Sequence, residues 1–178
     1  MGKQYKKLTD TDIDFIKEQK LFYIASSSGG EVNLSPKGYD CIRILDETTL
    51  LFMSYPGSGN RTYTDAINNG EFTIVFNSFE KASKILRIFC KATIIEPNDE
   101  KFHSYLQKFD EKEQYVRNFF EFSIYAIESS CGDSVPLMEY KGERPALKSW
   151  VVRMDKKELL EKYKADHFVP PNLKGIKS

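Results

Sequence analysis

The sequence is poor in the residues that most often announce a metal or a covalent framework: its 178 residues hold three cysteines and two histidines. Cys41, Cys90 and Cys131 are odd in number, far apart and without a Cys-x-x-Cys pair, which argues against a disulfide framework and a structural zinc site. A charge surplus is also missing. Lys and Arg number 26 against 26 Asp and Glu, so the electrostatic basis for gripping a nucleic-acid backbone is absent. No run reaches the roughly 18 apolar residues that a membrane-crossing helix needs. The charged start, Met1 to Lys7, leads into no apolar stretch of signal-peptide length. Lys6 stands where N-myristoylation after Gly2 wants Ser or Thr. The expectation is a cytoplasmic protein with neither nucleic-acid nor membrane partners. Ser-His-Asp groupings, carboxylate pairs with a shared pocket, repeats and low-complexity tracts are absent too.

What is present is an ordinary globular composition, 40% hydrophobic and 29% charged, with 13 Phe and 10 Tyr. The length suits one domain. Thr9 with Asp12 forms a capping-box-like start, and Ile13 and Ile16 make a short helical stripe that ends near Gln19. Leu21 to Ser26 reads as a strand broken by the turn Ser27 to Gly30, and Val32 to Ser35 as its return, interrupted by Pro36 and Gly38. Cys41 to Leu45 and Leu50 to Met53 read as two more strands. Four short strands on tight turns predict an antiparallel sheet or barrel rather than a βαβ layout. A helix over Arg61 to Asn68 follows, with Asn60 at its N-cap. Strands over Phe72 to Phe76 and Ile85 to Ile95 come next, then a helix over Asp99 to Phe109 and a shorter one around Glu113 to Asn118. Phe120, Phe122, Ile124 and Ala126 alternate as one face of a last strand. Ser129 to Trp150 reads as a long structured loop, and Asp155 to Lys164 as a final amphipathic helix. Cys41 and Cys90 read as packing residues in apolar runs, and Cys131 as a small residue at a strand end.

Two segments carry chemistry. In Ser35, Pro36, Lys37 and Gly38 a lysine stands between a proline that fixes the chain and a glycine that admits close backbone approach. In Gly57, Ser58, Gly59, Asn60, Arg61 and Thr62 a glycine-rich loop enters a helix start, where free N–H groups favour an anion and Arg61 adds a forked donor. Each segment alone also reads as an ordinary turn. If Lys37 and Arg61 converge, they suit a phosphate monoester, each charge-assisted bond contributing roughly 1.5–3 kcal/mol.

With these segments in this order, the sequence resembles the pyridoxamine 5′-phosphate oxidase-like superfamily of FMN-binding split barrels. It is similar in particular to a subgroup with Ser-Pro-Lys-Gly on the second strand and Asn-Arg after the fourth. The resemblance covers about Phe15 to Ile95, and Ser130, Cys131, Gly132, Val135, Pro136, Met138, Tyr140, Gly142, Arg144, Leu147 and Trp150 look like that subgroup's C-terminal signature. It implies a mainly β fold with flanking helices, an antiparallel split β-barrel. Residues 1–178 would form one domain, with an extension over 129–178 packed on the barrel or on a dimer partner.

The resemblance further implies FMN at a homodimer interface. Lys37, Asn60, Arg61 and Thr62 would hold its phosphate, and Ser35, Pro36, Met53 and Ser54 would lie near the ring and ribityl chain. FAD and a deazaflavin are alternative cofactors that use the same residue types. The implied activity is a flavin-dependent oxidoreductase of unassigned small-molecule substrate; a flavin carrier or sensor without turnover is the alternative. Tyr55, Tyr140 and Trp150 are candidates for lining a pocket for a planar substrate, and equally for core packing. The pyridoxamine-phosphate oxidases proper carry Arg-x-His near the C-terminus, whereas Arg153 here precedes Met154 and Asp155, which argues against that substrate. His103 and His167 read as helix-face or solvated residues, which argues against haem.

Overall fold

The computed structural model describes residues 2–80, 83–170 and 173. In chain order the elements are β1 (Lys3–Tyr5), α1 (Asp10–Glu18), β2 (Phe22–Ser27), β3 (Asn33–Lys37), β4 (Ile42–Asp46), β5 (Thr49–Ser54) and α2 (Arg61–Ile67). They continue with β6 (Glu71–Asn77), β7 (Ile85–Ile95), α3 (Phe102–Leu106), a 3-10 turn at Glu113–Tyr115, β8 (Asn118–Ser130), α4 (Ala146–Lys156) and α5 (Leu160–Asp166).

The strands form one antiparallel sheet in the order β3-β2-β6-β7-β8-β5-β4, with β1 beside β8. Its curl comes from the long β8, which pairs with β7 along most of its length, with β5 through Asn118–Ser123 and with β1 through Ile127–Ser129. β3 and β4 are the two ends of the sheet and do not pair with each other, so the barrel is split there. Alternation fills its inside: Phe22 and Ile24, then Phe72, Ile74 and Phe76, then Leu86, Ile88 and Cys90 are all buried. The register sets these side chains opposite one another, Phe22 with Phe76, Ile74 with Ile88 and Phe72 with Cys90, so the core is built in cross-strand layers.

The start of α1 is as its sequence predicts. Thr9 accepts from the Asp12 N–H while Asp12 accepts from the Thr9 N–H. Asp12 is buried and also accepts from the Tyr5 hydroxyl at 2.9 Å and the Lys84 ammonium at 2.8 Å, tying α1 to β1 and to the start of β7. These donors outweigh the cost of burial and hold its carboxyl below the usual range. At Gly70 a side chain would have no room, because a Cβ would meet the Ser27 and Asp65 carbonyl oxygens at 2.7 and 2.8 Å. This close approach seats the end of α2 against β2.

Several expectations are corrected. Pro36 does not interrupt its strand: it pairs with Tyr23 inside β3, which an edge strand tolerates because one row of its backbone groups faces no partner. The alternation of β8 does not run through Ala126. The register shifts between Phe89 and Cys90, skipping Tyr125, so Ile127 takes the buried place. The helix expected over Asp99 to Phe109 is confined to α3, and the one at Glu113 is a single 3-10 turn. Ser129 to Trp150 is not one loop, since β8 extends to Ser130 and α4 begins at Ala146. Nor does one helix span Asp155 to Lys164. The chain breaks between α4 and α5, where Glu158 adopts a φ of 58°. Val151 and Leu160 are buried with Tyr115 in a second, small core. Among the described residues no helix is long and apolar enough to cross a membrane, and no group of three or more His, Cys, Asp or Glu could hold a metal ion.

Candidate functional site

The split between β3 and β4 leaves a cleft of about 500 Å³ whose walls are β3, the end of β5 and the loop leading into α2. All eight sequence-predicted site residues line it. Ser35, Pro36 and Lys37 come from β3, Met53 and Ser54 from β5, and Asn60, Arg61 and Thr62 from the loop and the first turn of α2.

A buried polar network holds the two walls at this distance. The Asn33 amide donates to Ser26 Oγ at 3.2 Å and to Thr62 Oγ1 at 3.1 Å, linking β3 to α2. Ser26 and Ser28 both donate to the Asp65 carboxylate at 2.7 Å, linking α2 to β2. Thr62, Asp65 and Ser26 are buried, so the Ser26 bond to Asp65 is shielded from water and the network fixes the helix rather than decorating its surface. Asp65 carries no mark in the sequence, because its serine partners lie 37 and 39 residues away.

Lys37 is half-buried at the end of β3, with its ammonium 5.6 Å from the centroid of the Phe52 ring. Among the described residues it has no carboxylate partner. Burial lowers its pKa, and the positive charge of Arg117 lowers it further. Arg117 itself is buried and was not legible as a site residue. Its guanidinium donates to the carbonyls of Gly57 at 2.7 Å and Gly59 at 3.3 Å and to Asn60 Oδ1 at 3.3 Å. Two desolvated cations therefore stand near one cleft without an acid between them, an arrangement that an anion would relieve.

Asn60 departs from its expected role in one respect. Its side chain does not cap α2 but donates to the Phe168 carbonyl at 2.7 Å and accepts from Arg117. That leaves its backbone N–H, rather than its amide, to face a ligand. α2 is only seven residues long, so its dipole is small beside the two cations.

Among the described residues the remaining lining contains Tyr39, Tyr55 and Cys41 but no His, Asp or Glu. Burial pushes the Cys41 thiol up to about 12, so it is inert at neutral pH. The Tyr55 hydroxyl is likewise raised, by burial and by its 2.7 Å bond to Glu111. Tyr39 sits in the left-handed region at φ 63°, unusual for a bulky residue, and its hydroxyl donates to the Arg144 carbonyl. Of the three aromatic candidates, only Tyr55 reaches the cleft. Tyr140 lies in a separate cleft with Phe79 and Met138, and Trp150 packs edge-on against Tyr163 at 4.5 Å. His103 pairs with Glu113 at the surface and His167 stacks on Tyr163, neither of them in the cleft lining.

No family model matches the chain. A pyridoxamine 5′-phosphate oxidase family protein of Aspergillus flavus, ustO, is 31% identical over 140 residues, which cover 76% of this chain and 56% of that protein. The chain thus spans little more than half the length of that relative. Among solved structures, a candidate pyridoxamine 5′-phosphate oxidase from Lactobacillus delbrueckii superposes with a TM-score of 0.54 at 16% identity, over 69% of this chain and 98% of its own. HupZ of Group A Streptococcus superposes with a TM-score of 0.54 at 19% identity, over 67% and 91%. At these identities the structures share a fold. The split sheet thus has the fold of the pyridoxamine 5′-phosphate oxidase-like split barrels, and the sequence likeness to the Aspergillus protein fits that family.

Proposed function

We propose that the chain binds FMN in the cleft between β3 and the Gly57–Arg61 loop and acts as a flavin-dependent oxidoreductase on a small molecule. The observation that carries this reading is the convergence on one cleft of Lys37 without a carboxylate partner and the glycine loop braced by Arg117. Its volume of about 500 Å³ falls in the range of roughly 300–1,000 Å³ typical of small-molecule sites. Lys37, the backbone at Asn60, Arg61 and Thr62 would take the phosphate. Ser35, Pro36, Met53 and Ser54 would line the ribityl chain and ring. When bound, FMN would supply hydride or electron transfer. The protein's part is to position it, to exclude water with Met53 and Phe52, and to balance its phosphate charge. The Aspergillus relationship supports the family's flavin chemistry without assigning a substrate.

A homodimer belongs to the same proposal. Val32, beside the edge strand β3, and Leu34, on it and in the cleft lining, expose 76% and 61% of their surface, an apolar border that a second copy would cover. Arg153 lies exposed on α4 and does not line the cleft, which agrees with a substrate other than pyridoxamine 5′-phosphate. One observation favours the second reading, a flavin carrier or sensor. Among the described residues the lining holds no acid or histidine to move a proton, and burial lowers the pKa of its Lys37.

Purified protein, after incubation with FMN and desalting, is expected to be yellow with about one flavin per chain. Reduction of that flavin by NADH or NADPH would support the oxidoreductase. Retention of FMN without reduction by either would favour the carrier. A protein that stays colourless would exclude both.

A further inference from the structure

We propose that Arg117 is the positioning residue that turns the Gly57–Asn60 segment into a phosphate cradle, and so sets a preference for a phosphorylated flavin over its unphosphorylated form. The inference rests on the flavin reading of the cleft and deepens it. Arg117 is not part of the cleft lining; it sits behind the loop, 8% exposed, immediately before β8, with its own N–H bonded to the Ser54 carbonyl at 2.8 Å.

Its effect follows from peptide geometry. Among the described residues no peptide bond is cis, and in a trans peptide the carbonyl and the next residue's N–H point to opposite sides. Arg117 draws the carbonyls of Gly57 and Gly59 toward itself, so the N–H groups of Ser58 and Asn60 point away from it. Both residues line the cleft. Among the described residues nothing accepts from the Ser58, Gly59 or Asn60 N–H. The loop therefore offers a set of unpaired donors on its cleft side, a concavity suited to an anion.

The charge of Arg117 reinforces this. No carboxylate pairs with it among the described residues, and its Nε is buried without a hydrogen-bond partner. A buried cation kept without an acid would ordinarily be a liability, and a neutral side chain of similar size would fill the space at less cost. Its presence behind the donor loop is explained by an anion bound on the loop's other side. An arginine is required for the geometry, since a lysine cannot reach Gly57, Gly59 and Asn60 together.

The test compares dissociation constants for FMN and riboflavin, by flavin fluorescence quenching, in the native protein, Arg117→Met and Arg117→Lys. Arg117→Met is expected to weaken FMN by about 30-fold and riboflavin by less than about threefold, because only FMN carries the phosphate. Arg117→Lys is expected to fall between, keeping the charge but not the cradle. If both flavins weaken by the same factor in these variants, Arg117 is only a brace and the inference is overturned. Should Arg117→Met not fold, Arg117→Lys decides: an undiminished ratio of FMN to riboflavin affinity overturns it. A native protein that binds neither flavin would sink the flavin reading itself, whereas a native preference for FMN that survives both substitutions would sink this inference alone.

Discussion

Replacing Lys37 and Arg61 together by alanine is expected to weaken FMN binding by roughly a thousandfold while leaving riboflavin within a few-fold of its native affinity. Each charge-assisted bond to phosphate contributes about 1.5–3 kcal/mol, so losing both removes about 3–6 kcal/mol, and tenfold in affinity corresponds to about 1.4. Titration by fluorescence quenching measures both flavins in one protocol. A pH series adds a second signature. Lys37 must be protonated to hold an anion, and its pKa lies below the ordinary lysine value because burial and Arg117 disfavour its charge. FMN affinity should therefore fall as pH rises through that lowered value, starting below the usual lysine range near about 10.4. Binding a phosphate raises the lysine's pKa again, so binding at such pH takes up a proton. Lys37→Met should abolish this pH dependence. It should not lower the melting temperature of the flavin-free protein, because a cation without a counter-ion contributes no stability to the empty fold.

Phe119→Ala is expected to destabilise the protein by about 4 kcal/mol, a large share of the roughly 5–15 kcal/mol that holds a domain of this size folded. Phe119 is fully buried on β8, opposite Met53 of β5 and Ile95 of β7. Its ring meets those of Phe102 at 5.1 Å and Phe109 at 5.6 Å, so it anchors α3 and the following turn to the sheet. Truncation leaves a cavity between rings that cannot collapse without moving the strands. Because Met53 lines the cleft, flavin binding should weaken as well. Urea denaturation reads the loss as a shifted midpoint, and Tyr125→Ala is the comparison. Tyr125 is 48% exposed on the same strand, so its truncation should stay within about 0.5 kcal/mol. Equal effects from the two would contradict the burial pattern of β8.

The parts of this fold that are legible in sequence are those decided locally. The reciprocal bonds of Thr9 and Asp12 span three residues, and β7 occupies Ile85–Ile95, the limits its apolar pattern predicts. Both phosphate segments are readable because Pro, Gly, Lys and Arg restrict the backbone or carry charge by themselves. What brings them together is not. The Asn33 to Thr62 bond and the clamp of Ser26 and Ser28 on Asp65 join residues 29 to 39 positions apart. Arg117 escapes notice for the same reason: it serves backbone carbonyls 58 and 60 residues away, which have no side-chain signature. The start of α4 is hidden differently. Pro145 precedes it without a side-chain cap, although Leu147, Val151 and Met154 keep helical spacing. In β8 the bulge at Tyr125 reverses which residues face inward, and strict alternation cannot foresee it.

The most direct measurement is a crystal structure of the protein with FMN. The expected result places the phosphorus within about 4 Å of the Lys37 ammonium and the Arg61 guanidinium, facing the Ser58 and Asn60 N–H groups. A flavin found instead in the cleft of Phe79, Met138 and Tyr140, or a phosphate turned away from Lys37 and the glycine loop, would contradict it.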